Sequence, residues 1–415
     1  RQRQMCIRDS VKALQGHTSG LAVPHYVIDG PGGKVPVSPD YVKEITPDEV
    51  IVTNYMDQLF KYPGIHIGST KRMSNKRVKK VAIAFNLKKE PLKGERLDRY
   101  AEYDDLTTID AIRKSLERLG YDVSLLEADH GFIEKLTASD VDFVFNIAEG
   151  IQGESRESHI PAILEMMNIP YSGSGVLTQA ITLQKSKKKE ILNYYSIPTP
   201  RFKLFRSSNL KIESDLRFPL IVKPDAEGSS IGITDSSLVF DADSLRREVS
   251  KVIRIYKQNA LVEEYLEGRE FTVALLGNNK PRVLPIIEID FSHLPQSLHR
   301  FDSYEAKWIY DKPGASKDAV ICPAVLKHSL KKRIEKVARD TFRALGCNDL
   351  CRIDMRLDSE GIPNVFDVNT LPGLMPGKEE NSRFTRACYA DGMTYDDIIG
   401  SIMAAALKRY NLSMG

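Results

Sequence analysis

The sequence predicts a multidomain chain of mixed α/β and α+β architecture, and three observations carry that expectation. Short apolar runs alternate with helical stripes from residue 81 to residue 167, the pattern of a doubly wound α/β unit. Residues 351–357 and 363–369 each alternate polar and apolar and flank Asp358-Ser-Glu-Gly361, which reads as a β-hairpin. With 415 residues, 42% hydrophobic and 28% charged, the chain has the length for two to four domains and a soluble globular composition.

Composition also excludes. A formal net charge of +3 gives no electrostatic case for nucleic acid. No apolar run reaches membrane-spanning length and no signal peptide opens the chain, so no membrane partner is expected. Five cysteines without zinc-like spacing point to a reducing, cytoplasmic setting, with Cys347 and Cys351 read as core.

In chain order, Arg1 to Ser10 carries no usable periodicity and stands outside the fold reasoning. Residues 16–37 are dense in Gly and Pro, a loop followed by short extended pieces. This stretch, over roughly residues 11–60, resembles the C-terminal end of the lysine 2,3-aminomutase family, radical-SAM enzymes that use pyridoxal phosphate. The resemblance implies Lys34 as the Schiff-base lysine and Asp29 as the ligand of the substrate amine. The glycine run before Lys34 is shorter than the family's, and the Cys-x3-Cys-x2-Cys iron–sulfur motif is absent. The tail is therefore expected to be a short non-globular remnant that holds no pyridoxal phosphate, with an upstream radical-SAM aminomutase module as a candidate partner. Segment 61–80, rich in Lys and Arg, reads as a basic linker.

Val81 to Phe85, Val123 to Leu126 and Val141 to Phe145 read as strands, and Asp105 to Leu119 and Ile160 to Met167 as helices. Ligands of such units sit beyond the carboxyl ends of the strands. That rule places Asn146 to Gly150, with Glu149, and Gly153-Glu154 at the functional edge. Ile169 to Gly175 reads as a strand entering a turn, and Thr182 to Tyr194 as one helix whose clustered Lys185, Lys187, Lys188 and Lys189 suggest a solvated face. Phe218 to Pro224 is a strand delivering Lys223, followed by Glu227-Gly-Ser-Ser-Ile-Gly232. That run suits a flap over phosphates, although most Gly/Ser stretches are plain loops. It is not the Walker pattern. Strands follow at 260–264, 270–276 and 284–289, then an irregular stretch at 302–323 and an amphipathic helix from Leu326 to Leu345.

On the hairpin, Cys351, Ile353, Met355 and Leu357 share one face with Phe366 and Val368. Arg352, Asp354, Asp367 and Asn369 share the other. Two carboxylates and an amide oxygen form a hard-oxygen set suited to Mg²⁺ held jointly with phosphates, and the arginine suits phosphoryl transfer. Taken alone, the same face also fits an ordinary solvated hairpin.

In order, Lys185, Lys223 with the Gly-Ser-Ser flap, Glu263 to Glu270, Tyr304-Glu-Ala-Lys307, Arg352-Ile-Asp354 and Asp367-Val-Asn369-Thr-Leu-Pro-Gly373 resemble the ATP-grasp superfamily, and within it the D-alanine–D-alanine ligases. The match spans roughly residues 80–410. It implies a tail and linker over 1–80, an N-terminal α/β substrate domain over 81–180, and ATP-grasp subdomains over 181–266 and 267–415. By resemblance, Lys185, Lys223, Ser229 and Ser230 meet phosphates, and Glu263, Glu264 and Leu266 hold adenine. Glu270 would hold the ribose, and Asp354, Asp367 and Asn369 two Mg²⁺ ions, with Mn²⁺ as an alternative. Arg352, Gly373, Lys307 and Ser230 would serve the reaction, which joins a carboxylate to an amine through an acyl phosphate on amino-acid substrates. A homodimer stays open, as does a non-catalytic ATP-binding module. Three positions depart from the family pattern: Glu149-Gly150 replaces His-Gly, Trp308 replaces a tyrosine, and Lys378 stands near an expected serine.

Overall fold

The computed structural model describes residues 26–30, 33–37, 42–45, 50–52, 77–207, 215–310, 319–380 and 382–415. It divides into two units, Arg1–Arg72 and Met73–Gly415. In the first unit, Tyr26–Gly30 pairs antiparallel with Gly33–Val37, and Val42–Ile45 with Val50–Val52. The register sets Asp29 opposite Lys34. The side chains of both, residues 1–10 and most of the basic segment 61–80 lie outside the described residues.

In the second unit, Arg77–Val78 pairs in parallel with Ser413–Met414. Composition assigns Arg77 and Val78 to the linker, but Val78 is buried and belongs to the folded body. Three parallel strands follow, with Lys80–Phe85 between Asp122–Glu127 and Phe143–Asn146. The helix Leu106–Arg118 begins where the Asp105 carboxylate accepts from Thr108 N at 2.8 Å, satisfying one orphan donor. His159–Met166 supplies the later helix. Ile169 to Gly175 does not form the expected strand. It touches the sheet only at Tyr171, beside Val144, because the next donor, Asn146 N, is taken by the Ser172 hydroxyl instead of a carbonyl.

A four-stranded antiparallel sheet comes next, ordered Leu238–Val239, Leu220–Pro224, Ala260–Glu264, Phe202–Phe205. Helix Ala242–Tyr256 covers it through Leu245, Val249 and Val252. The last sheet is six-stranded, ordered Val320–Ile321, Ile287–Ile289, Glu270–Leu276, Leu350–Leu357, Pro363–Asn369, with Arg282–Val283 also on Glu270–Leu276. Of the run expected as a strand at 284–289 only Ile287–Ile289 forms one, and Pro285, which has no N–H for a ladder, separates it from the strand Arg282–Val283. Helix His328–Ala344 packs Ile334, Ala338 and Phe342 onto this sheet beside the buried Cys347 and Cys351, and ends before Gly346 at φ +67°.

The final helix, Tyr395–Arg409, leaves the last sheet and returns to the first domain of this second unit, the three-stranded parallel sheet and its helices over residues 77–175. Ile398, Ile402 and Met403 share one core with Ile109, Ile112 and Leu116. Each such side chain, fully buried, contributes about 1.5–3 kcal/mol, so this helix ties the two ends of the unit together. Among the described residues no helix is long and apolar enough to cross a membrane.

Candidate active site

The hairpin Leu350–Leu357 and Pro363–Asn369 sets Arg352 opposite Asn369 and Asp354 opposite Asp367, so all four side chains share a face as expected. The register then slips, and Met355 faces Val365. Phe366 is the extra residue of a β-bulge. Strict alternation puts Phe366 with Val368 on the apolar face; the bulge instead turns it into the cleft with Asp367.

Asp354 is the hub of this face. Thr272 Oγ1 donates to its Oδ1 at 2.8 Å, while Arg352 Nη2 at 2.9 Å and Asn369 Nδ2 at 3.0 Å donate to its Oδ2. With its nitrogen engaged, Asn369 keeps its Oδ1 as an acceptor. Asp367 pairs with Lys188. Burial pushes the Asp367 carboxyl up, but Lys188 and Lys185 more than offset it and hold it well below the usual range. Among the described residues no three His, Cys, Asp or Glu side chains converge as a metal cage, and here the third oxygen comes from an amide. Two carboxylates and that amide oxygen on one face are the donor chemistry of a Mg²⁺ site, and the residues fit one.

The lysines come from a helix that the sequence reading joins to its predecessor. Gln184, extended at ψ 98°, separates Val176–Leu183 from Lys185–Tyr194. Asp225 then caps the second helix, its carbonyl accepting from Lys185 N at 2.8 Å and its carboxylate from Ser186 N at 2.7 Å. Lys185, Lys188 and Lys189, spaced to share a helical face, are buried, and only Lys187 reaches solvent, beside Glu190. The expectation of a solvated cluster is thus corrected: that spacing was the signal for an inward face. Lys185 Nζ donates to the Glu227 carbonyl. Lys189 and Lys223 both reach the buried Glu263, at 2.7 and 2.8 Å. Burial pushes Glu263 up, yet the two lysines bring it down to about 2, while burial pulls Lys189 down to about 8. Lys223 Nζ also lies 5.2 Å from the centre of the Phe366 ring.

After Lys223 the chain turns through Ser229 and Ser230 at φ 46° and 60°. Gly232 sits at φ +74°, where a Cβ would come within 2.5 Å of Pro224 Cγ. Ser230 Oγ donates to the Asp302 carbonyl at 2.9 Å. The first domain holds this flap: Asp98 accepts from Gly232 N at 3.1 Å. Arg156 bridges Glu102 at 2.6 Å, Glu227 at 3.1 Å and the Ala226 carbonyl at 2.9 Å.

Beyond the flap, Glu264 Oε1 accepts from Arg217 N at 2.9 Å. Glu270 is buried, with Oε2 3.5 Å from Arg356 and Oε1 without a hydrogen-bond partner. Burial raises its carboxyl to about 7, against the pull of Arg356. Lys307 is drawn down to about 8 by desolvation, which Asp302 opposes. Asp302 pairs with the buried Arg383 at 3.0 Å.

Lys185, Lys223, Ser229, Ser230, Glu263, Glu264, Leu266, Glu270, Lys307, Arg352, Asp354, Asp367 and Asn369 all line one cleft between the two antiparallel sheets. Gly373 does not; it lines an adjoining pocket toward the first domain, which shares Lys185, Lys307, Arg352, Asp367 and Asn369 with the cleft. Glu149 lines that pocket too, whereas Glu154 binds Gln184 away from it. Lys378 is absent from both linings and lies 5.8 Å over the Tyr389 ring. Ser382 occupies the pocket wall instead, its hydroxyl donating to the Gly373 carbonyl. The Trp308 side chain lies outside the described residues. Lys188, Lys189, Arg356, Arg383 and Phe366 are site residues that sequence reasoning missed.

Residues 188–404 match the family model for the D-ala D-ala ligase C-terminus. Residues 11–108 match the model for lysine-2,3-aminomutase, farther into the chain than the resemblance over 11–60. A D-alanine–D-alanine ligase of Carboxydothermus hydrogenoformans is 36% identical over 312 residues, covering 73% of this chain and 93% of that protein. An uncharacterized protein of Sinorhizobium fredii is 36% identical over 309 residues, covering 72% and 88%. The crystal structure of D-alanine–D-alanine ligase from Bacillus anthracis complexed with ATP aligns with TM-score 0.62 at 24% identity, covering 80% of this chain and 99% of that one.

Proposed function

The chain belongs to the D-alanine–D-alanine ligase family, and from that premise we propose that it is an ATP- and Mg²⁺-dependent ligase that joins the carboxylate of one amino acid to the amine of another. The observation that carries this reading is the convergence of Lys185, Lys223, the Ser229-Ser230 turn, Glu270 and the Arg352/Asp354/Asp367/Asn369 face on one cleft.

ATP lies in that cleft with its base against Glu264 and Leu266 and its ribose at Glu270, whose unpartnered Oε1 is a ready acceptor for a hydroxyl. Glu263 acts one step back, orienting Lys223 and Lys189 in place of touching the base. Lys185, Lys223, Ser229 and Ser230 face the phosphates. Asp354, Asp367 and Asn369 hold Mg²⁺, two ions by family resemblance with Mn²⁺ as a substitute, and the metal when bound neutralises phosphate charge. The γ-phosphoryl group passes to the substrate carboxylate, giving an acyl phosphate and ADP. The amine then attacks the acyl carbon, phosphate leaves, and the nitrogen gives up a proton. Arg352 and Lys307, where the cleft and the pocket meet, and the backbone at Gly373 in the pocket stabilise the charge that develops on the acyl oxygen. The chain brings like-charged carboxylate and phosphate together by surrounding them with buried cations, and the reaction requires no covalent nucleophile.

The aminomutase-type match at residues 11–108 supports a β-amino acid as one substrate, because fusion raises its local concentration. The test is ADP release by the full chain with ATP, Mg²⁺ and D-, L- and β-amino acids, alone and in pairs. Release that depends on an amino acid supports the ligase. ATP binding without release under any pairing would replace it with a nucleotide-binding module.

A further inference from the structure

The pocket beside the ATP cleft gathers carboxyl groups that no described side chain hydrogen-bonds or pairs with. Glu157 lies in the short turn Arg156–Ser158, is 9% exposed, and lines the pocket. Its carboxylate makes no hydrogen bond or ion pair with any described residue. Glu149, which follows the strand Phe143–Asn146, lines the same pocket and is equally without a partner among the described residues. Its position is fixed: Gly150 N donates to Asn86 Oδ1 at 2.8 Å, and Tyr103 OH donates to the Gly150 carbonyl at 2.9 Å. At Gly150, φ is +80°, and a Cβ would collide with the Arg156 carbonyl at 2.2 Å, so this corner is packed tightly against the turn that carries Glu157. The adjacent cation, Arg156, is engaged by Glu102, Glu227 and the Ala226 carbonyl. Asp104 lines the pocket as a further carboxylate.

Glu157 is buried and Glu149 half-buried, and a carboxyl withdrawn from water without a partner is costly unless a ligand supplies one. Burial, and then acidic neighbours, push both the Glu149 and the Glu157 carboxyl upward, and Arg156, with Lys185 and Lys188 at Glu157, opposes this without offsetting it. The pocket also presents the cations Lys185, Lys307 and Arg352, of which Lys185 acts on Glu157 directly. A ligand matched to this distribution has an anionic head at the cations and positive charge at the carboxylates. The amino group of an ordinary amino acid supplies one positive charge, and two unpaired carboxylates together with Asp104 ask for more.

We propose that the substrate bound between Arg352 and the Glu149/Glu157 pair is a diamino monocarboxylic acid, whose second ammonium group is taken by Glu149 and Glu157. This rests on the ligase reading above and narrows its substrate class; Glu149 and Glu157 are then specificity-determining residues, and neither takes part in phosphoryl transfer.

The experiment is calorimetric titration of the full chain, held with Mg²⁺ and a non-hydrolysable ATP analogue. The ligands are lysine, ornithine and the 3-amino isomer of each, every one compared with the analogue of equal length that lacks the terminal ammonium (norleucine, norvaline and their 3-amino isomers). At least one diamino acid is expected to bind tenfold or more tightly than its analogue. In Glu149→Gln and Glu157→Gln that ratio falls toward one, and Glu157→Gln raises the melting temperature of the unliganded protein at neutral pH by removing a carboxyl that must take up a proton to be buried. Equal binding of the neutral analogues, a preference that survives both substitutions, or no binding by any diamino acid overturns the proposal. ADP release separates the two readings. A diamino acid that binds selectively without ADP release with any amine defeats the ligase but not the subsite, whereas release driven equally well by alanine defeats the subsite but not the ligase.

Discussion

Lys223 Nζ stands 2.8 Å from Glu263 Oε1 on the neighbouring strand, and the same carboxylate holds Lys189 at 2.7 Å. Glu263 is 1% exposed, so removing its charge strands two cations in a site that excludes water. Breaking a buried pair from one side costs about 3–5 kcal/mol. Glu263→Gln is therefore expected to lose about that much in urea unfolding and to weaken ATP binding through a misplaced Lys223. The folded carboxyl, at about 2, lies below its ordinary value of 4.5, so its stabilisation is complete above 4.5 and fades as pH falls toward 2. The wild-type chain should show that acid limb and the Gln variant should lack its share of it. Equal unfolding midpoints at neutral pH would show that the pair is not structural.

Thr272 tests the metal reading without touching a ligand. Its hydroxyl fixes the Asp354 carboxylate at 2.8 Å, and residues in that supporting position typically change metal affinity 10–100-fold. Thr272→Val keeps the shape of a fully buried side chain and removes the hydrogen bond. The Mg²⁺ concentration giving half-maximal ADP release should rise by about tenfold or more, with little change in ATP requirement at saturating metal. An unchanged Mg²⁺ profile would argue that Asp354 does not hold the ion.

Lys307 sets an alkaline limit. Desolvation brings its ammonium down to about 8, so its charge is present at neutral pH and lost as pH rises through that value. If its charge assists the reaction, kcat/KM falls above about 8, tenfold per pH unit at the limit. Arginine stays protonated throughout this range, so Lys307→Arg should flatten the limb even where it lowers the maximum. Lys189 and Glu157 also lie at about 8, and an alkaline limb that survives in Lys307→Arg would take the titration away from Lys307.

The hairpin that carries Arg352, Asp354, Asp367 and Asn369 was legible because strand periodicity is local, and alternation alone put all four on one face. Phe366 was not, since a bulge is a register event that two strands decide together. The buried lysines show the same limit. Their spacing predicts a shared face of the helix but does not say whether that face meets water; only Asp367 and Glu263, distant in sequence, make burial of Lys188 and Lys189 affordable. Lys378 and Ser382 differ for a related reason. Position relative to Gly373 depends on how the chain turns between 374 and 380, and Ser382 is the residue that turn brings back to the Gly373 carbonyl.

Arg156 couples the first domain to the ATP flap. It joins Glu102, on the segment between the strand Lys80–Phe85 and the helix Leu106–Arg118, to Glu227 and the Ala226 carbonyl at the base of the Gly-Ser-Ser turn. Gly228 passes so close to this junction that a Cβ there would lie 2.2 Å from Glu102 Oε1, so the flap and Glu102 occupy their places together. Arg156→Met keeps the apolar stem but removes the cation that Glu102 and Glu227 share, leaving Glu227 only the longer cationic contact with Arg96 at 3.9 Å. The two carboxylates repel, and the expected result is a flap that opens: faster proteolysis in the 226–232 segment, a raised KM for ATP, and a smaller effect on global unfolding than on flap protection. Arg156→Lys restores the charge but not the fork that reaches three acceptors, so it should fall between Met and wild type. If proteolysis of the segment is unchanged in Arg156→Met while the whole chain melts earlier, Arg156 serves the fold of the first domain and does not govern the flap.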